Sequence, residues 1–259
     1  MEKLSVAIIT LNEEKNIERC IASVEGLADE IVVIDSFSTD RTEAICSKFN
    51  VKFEPHFFEG YIQQKQYALS QCNYNYVLSL DADEALSERL KAVIMLEKET
   101  GFRNSAYTMN RLSNYCGQWI RHCGWYPDVK LRLFDKTEGA WGGQNPHDKF
   151  VLYNLQQKVV HLEGEIFHFS YYAIDEHYKQ ASKFAGIAAN ELSKKGKHSS
   201  ILYAAMKTGV KFLRNYLLKA GFLDGRNGFI ICKISALETW WKYTRLIQLN
   251  KIKKANEST

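Results

Sequence analysis

The chain has 259 residues, 46% hydrophobic and 25% charged, which suits one large domain, or one domain with a C-terminal extension, burying a substantial core. Six scattered cysteines include no Cys-x-x-Cys pair, which argues against a zinc ribbon or a disulfide framework. No apolar run approaches the roughly 18 residues that span a bilayer. The net charge of +4 hides an asymmetry, with 16 Lys+Arg against 4 Asp+Glu in residues 179–259 and 18 against 26 before them. An acidic front half and a basic, aromatic-rich tail suggest two tasks, the second directed at an anionic partner. Met1-Glu2-Lys3-Leu4 runs into a strand without a signal-peptide layout, so the expected location is cytoplasmic.

Residues 5–10 form a short apolar run suited to a strand buried on both faces. Asn12, Glu13 and Glu14 follow where a helix should begin, and Ile17, Cys20, Ile21 and Val24 supply its apolar stripe. A second strand, 30–35, ends in Asp35. Ser38, Thr39 and Asp40 then offer N-cap types for a helix over 41–49. A strand at 51–54, a helix at 62–72 and a strand at 77–80 complete the alternation. That rhythm predicts an α/β fold with a mostly parallel sheet, and ligands bind at the carboxyl ends of strands in such sheets. Thr10 to Glu13, Asp35 and Asp81 to Glu84 all fall at these ends.

The stretch Leu80-Asp81-Ala82-Asp83-Glu84 closes the fourth strand with three carboxylates. Alternation along an extended chain predicts Asp81 and Asp83 on one side, where mutual repulsion favours a divalent cation or a hydroxyl-bearing ligand. Glu84 reads as the first turn of a helix over 85–97. Neither a Gly-x-Gly-x-x-Gly nor a Walker lysine loop follows the first strand, which excludes a nicotinamide enzyme and a P-loop NTPase.

Three blocks, Ile8-Ile9-Thr10-Leu11-Asn12-Glu13-Glu14, Val32-Val33-Ile34-Asp35-Ser36-Phe37-Ser38-Thr39-Asp40 and Leu80-Asp81-Ala82-Asp83-Glu84, resemble glycosyltransferase family 2. Within it, the likeness is to bacterial lipopolysaccharide-core glucosyltransferases and related small enzymes. The resemblance implies a GT-A fold, a UDP-sugar donor (glucose by preference), inversion at the anomeric carbon and Mn²⁺ or Mg²⁺. It places Thr10, Leu11 and Glu13 at the base and ribose, and Asp35 on the uracil imide. Asp81 and Ala82 fall at the ribose and first phosphate, and Asp83 on the metal. Lys65 matches a residue facing the nucleotide, while by residue type alone it reads equally as a solvated helix lysine.

Residues 104–150 mix aromatics with polar groups in the manner of a sugar site, or of a plain core. The resemblance sets Trp125 and Arg132 near the acceptor or diphosphate. In Gly142-Gly143-Gln144-Asn145-Pro146-His147-Asp148, His147-Asp148 stands where relatives carry His-Glu. Asp148 is the candidate base that takes the acceptor proton, His147 its competitor. His168, flanked by Phe167 and Phe169, reads as a metal ligand, a diphosphate contact or a hydrogen-bonded core residue.

The expected division is a catalytic domain over 1–172 and a basic helical extension over 173–259. Helices are predicted over 175–193, 203–220 and 229–249, with a break at 221–228. Basic residues interleaved with leucines and aromatics suit a helix at a membrane interface, a pair packed on the catalytic domain, or a homodimer contact. The expected partners are a glycan or lipid-linked acceptor and the inner-membrane surface, with no nucleic acid. Two other readings stand beside the transferase: a nucleotidyltransferase of GT-A type, and a non-enzymatic basic binding protein whose signature would be strong salt dependence.

Overall fold

The computed structural model describes residues 2–144 and 147–256. The chain divides into two units: residues up to Leu112 with Asp128–Phe169, and Ser113–Pro127 with the residues from Ser170 on.

In chain order the first unit begins with β1 (Leu4–Thr10), α1 (Ile17–Val24), β2 (Glu30–Asp35), α2 (Thr42–Cys46), β3 (Lys52–Pro55), α3 (Tyr61–Gln71) and β4 (Tyr76–Asp81). The strands lie in the order β3-β2-β1-β4, all parallel. Then come β5 (Glu84–Leu86), α4 (Glu88–Glu99), β6 (Ala106–Tyr115), β8 (Asp128–Asp135), β9 (Gly139–Gln144), β10 (His147–Leu152) and β11 (Val159–Tyr171), with β7 (Gln118–Ile120), between β6 and β8 in the chain, assigned to the second unit. β8 pairs antiparallel with β4 and β6, β11 pairs antiparallel with β5, and β9 and β10 form a separate hairpin. This is the expected α/β, GT-A arrangement, a mixed sheet with flanking helices.

Alternation along β1 explains its largely apolar run. Leu4, Val6 and Ile8 pack with Ile17, Ile21 and Leu90 on one side, while Ala7 and Ile9 join Ala68, Phe134 and Phe150 on the other. Several predicted bounds differ, among them those of two helices near the site. The helix expected over 41–49 is only Thr42–Cys46, and the one expected from residue 85 begins at Glu88. Ser87 sets that later start: its Oγ accepts hydrogen bonds from the Leu90 N–H at 3.2 Å and the Glu165 N–H at 3.0 Å. Ser87→Ala is therefore expected to cost about 1–2 kcal/mol, measured by urea unfolding.

The second unit holds β7, α5 (Ile174–Lys194), α6 (Ile201–Leu213), a π turn (Arg214–Leu218), a 3-10 turn (Gly221–Asp224) and α7 (Gly225–Asn256). α7 packs against α5 and α6. The glycines of the predicted break serve a close crossing, because a Cβ on Gly228 would sit 2.0 Å from the Gly221 carbonyl oxygen. Asp224 binds the 113–127 segment to the tail: it accepts from the backbone N–H of His122 at 2.8 Å and lies 2.9 Å from His122 Nδ1.

Candidate active site

The order β3-β2-β1-β4 reverses direction at β1, since β2 and β3 step outward on one side and β4 returns on the other. Such a switch point opens a crevice at the carboxyl ends of the strands. Thr10 stands in register with Asp35, and Ile9 with Asp81, so these ends meet there. The loops beyond them clasp each other. Asn12 donates its N–H to Ser38 Oγ at 2.7 Å and accepts from the Thr39 N–H at 2.8 Å. Asp35 is buried and accepts from both the N–H and the hydroxyl of Ser38. Leu11 is exposed. Burial pushes the Glu13 carboxyl up to about 7 against a hydrogen bond from Asn16, and the neighbouring Asp83 carboxylate adds to the rise.

From this crevice a file of eight alternating charges runs through the unit. Asp148 Oδ2 meets Lys65 Nζ at 2.7 Å, and Lys65 Nζ lies 3.0 Å from Asp81 Oδ1. Arg132 Nη2 donates to Asp81 Oδ2 at 2.7 Å and to Glu84 Oε1 at 3.0 Å. Glu84 also accepts from Arg111 at 3.1 Å, Arg111 from its other end reaches Asp128 at 2.8 Å, and Asp128 reaches Lys130 at 3.0 Å. Strand register builds the file, with Arg111 on β6 opposite Asp128 on β8. Lys65, Glu84 and Arg132 are all less than 5% exposed. Lys65 is thus no solvated helix lysine. Against burial, the Arg132 and Lys65 charges hold the Asp81 carboxyl far below the usual carboxylate range.

Not every polar atom here is used. Thr10 Oγ1, Arg132 Nε and Trp141 Nε1 are buried with no hydrogen-bond partner among the described residues. Asp81 Oδ1 meets Lys65 as an ion pair but lacks hydrogen-bond alignment. Buried, underused donors and acceptors at a switch point are what a polar ligand completes.

Asp81 and Asp83 do not share a strand face as alternation predicted, because β4 stops at Asp81 and Ala82 and Asp83 form a turn. Ala82 is buried, its N–H bound to the Ile9 carbonyl at 3.1 Å. Asp83 lies in this turn, and its Oδ2 is 3.2 Å from His168 Nε2 on β11. Among the described residues no cluster of three or more His, Cys, Asp or Glu has metal-holding geometry. Two protein ligands with substrate phosphates are nevertheless an ordinary set for Mg²⁺ or Mn²⁺, so Asp83 and His168 fit such an ion.

Glu84 is not the start of a helix. It sits in β5, fully enclosed, and its second oxygen accepts the Asp81 N–H at 3.0 Å. Arg111, Asp128 and Glu84 were missed as members of the site, since no local pattern joins them. Trp125 belongs to the second unit, where it packs against Tyr115, Tyr171 and His177. The side chain of His147 lies outside the described residues.

A family profile described as Glycosyl transferase family 2 matches residues 5–153. A glycosyltransferase of Rickettsia typhi, RT0209, is 30% identical over 258 residues, 96% of this chain and 88% of that protein. The lipopolysaccharide core biosynthesis glycosyltransferase LpsC of Rhizobium meliloti is 27% identical over 262 residues, 96% of this chain and 94% of that one. Among solved structures, a glucosyl-3-phosphoglycerate synthase from Mycobacterium tuberculosis aligns with a TM-score of 0.48 at 18% identity, covering 77% of this chain and 82% of that one.

Proposed function

The chain belongs to glycosyltransferase family 2, and from that premise we propose that it transfers a sugar, glucose by preference, from a UDP-sugar to a hydroxyl of a glycan or lipid-linked acceptor, with inversion. The likeness to LpsC supports a place in lipopolysaccharide core or other cell-surface glycan synthesis. Family membership sets aside the nucleotidyltransferase and non-enzymatic readings.

One observation carries the donor site: underused buried polar atoms, Thr10 Oγ1 and Asp81 Oδ1, at the reversal of strand order. Thr10, Leu11, Glu13 and Asp35 would take the base and ribose. Asp81 and Ala82 would face the sugar–phosphate junction, with Lys65 supplying positive charge. In transfer, the acceptor oxygen bonds to the anomeric carbon as the bond from that carbon to the phosphate oxygen breaks. The acceptor proton goes to the Asp148 carboxylate, and UDP departs with the bonding pair. Asp83 and His168 would hold Mn²⁺ or Mg²⁺, which when bound neutralises charge on the leaving diphosphate. Lys65, shared between Asp81 and Asp148, fixes the base relative to the donor side.

Calorimetric titration of UDP tests this. Binding is expected with Mn²⁺ present, and is expected to vanish in chelator and in Asp83→Ala. Binding only of another nucleoside diphosphate would change the donor. Silence with every nucleotide would remove the transferase reading.

A further inference from the structure

We propose that the outer face of α6 and the turns after it docks onto a lipid bilayer bearing anionic headgroups. α6 buries Ala204 and sets Phe212 edge-on to Phe229 of α7, which leaves the opposite face unpartnered within the second unit. That face carries Leu202, Met206, Val210, Leu213 and Leu217, at steps of four, four, three and four, the spacing of one helical stripe. All five are more than half exposed, and Leu202 reaches 80%. Past the helix the stripe continues through Leu218, 82% exposed, to Phe222 and Leu223. Single exposed leucines are ordinary, but an unbroken row over two turns and a helix is a binding surface.

The charges choose the occupant. Between Leu192 and Leu237 there are nine Lys or Arg and a single acid, Asp224. That acid is buried and engaged with the 121–122 backbone. Arg214 and Lys219 are exposed beside the stripe, and Lys207 folds its stem so that Nζ lies 5.3 Å from the Tyr203 ring centre. Cations on flexible stems flanking a leucine row suit the headgroup layer, with the row in the acyl boundary. A second copy of the same face would bring like charges together with no acid to offset them, which disfavours self-association. A protein partner would have to supply a wholly acidic rim. No helix among the described residues is long and apolar enough to cross a membrane, so this contact is interfacial.

The proposal deepens the transferase reading, by holding the enzyme where a lipid-linked acceptor lies, and rests on that reading only for this consequence. The test is co-sedimentation of the full chain with vesicles of phosphatidylcholine alone and of phosphatidylcholine mixed with phosphatidylglycerol. Binding to the mixed vesicles is expected, weakening as salt rises. The double substitution Leu202→Glu and Leu218→Glu should reduce it by about tenfold or more. Lys207→Gln with Arg214→Gln should weaken binding to mixed vesicles specifically, a second arm should the leucine variant fail to fold by circular dichroism. No binding to mixed vesicles, or binding unchanged in both variants, overturns the proposal. So does a lipid-free dimer, seen by sedimentation velocity, that the leucine variant dissolves. UDP titration of the same samples reads the transferase site separately, so either reading can fail alone.

Discussion

Replacing Arg132 with methionine is expected to lower the unfolding free energy by about 3–5 kcal/mol, among the largest single losses available in the first unit. Arg132 is 4% exposed and one of its nitrogens serves both Asp81 and Glu84. Methionine keeps much of the volume but leaves two carboxylates facing each other without their shared cation. The pH dependence gives a second readout. The folded protein holds Asp81 well below its ordinary value, so the pair contributes stability above the unfolded carboxylate value of about 3.9 and loses it as pH falls below that. Without Arg132 the Asp81 carboxyl rises toward its unfolded value, and this acid-limb loss shrinks. Urea titrations across neutral and acid pH measure both effects. A neutral-pH loss under about 1 kcal/mol would mean that the file is far better solvated than its burial implies.

The second large effect falls on turnover. Asp148→Asn keeps the shape of the side chain and removes its ability to take a proton, so transfer should fall by about 10²–10⁴-fold in kcat. UDP affinity should hold, because the donor-side carboxylates are untouched. Lys65→Met separates positioning from chemistry. It leaves Asp148 with its carboxylate but without the 2.7 Å tie, and the loss should then fall on both kcat and KM. Sugar transfer from UDP-sugar with parallel UDP titration makes the comparison. If Asp148→Asn loses less than about tenfold, the base is another group, and His147 is the first to test.

Much of this arrangement was legible in residue order. The strands ending at Thr10, Asp35 and Asp81 announce themselves as apolar runs closed by polar groups, and their spacing implies the parallel sheet that brings the ends together. Glu84 shows where such reading stops. Three carboxylates ahead of a helical pattern look like a helix start, yet its partners Arg111 and Arg132 lie 27 and 48 residues downstream and arrive only through sheet pairing. A local signal for the true start was present in Ser87, an N-cap type beside Glu88. Lys65 was ambiguous because burial of a lysine is decided by what faces it, and Asp148 is 83 residues away. The grouping of 113–127 with the tail had no signal in order at all, since its partners, Asp224, Asn227 and the Ile231–Cys232 cluster, lie about a hundred residues on.

The file of eight charges has an even count, with four cations and four carboxylates, and evenness constrains how this sequence can change. A neutral substitution at Lys65, Glu84 or Arg132, the buried members, leaves an uncompensated charge in a place with little water. Removal of Glu84 with Arg111, or of Asp128 with Lys130, leaves balanced runs, whereas removal of Arg132 with Glu84 leaves two runs of three with one charge too many in each. Apart from Lys65, Asp81 and Asp148, which serve transfer, the most enclosed neighbours, Glu84 and Arg111, are therefore expected to vary together rather than singly. A library built by independent point changes would be mostly inviable at these positions, whereas one built from neighbouring opposite-charge pairs would explore them.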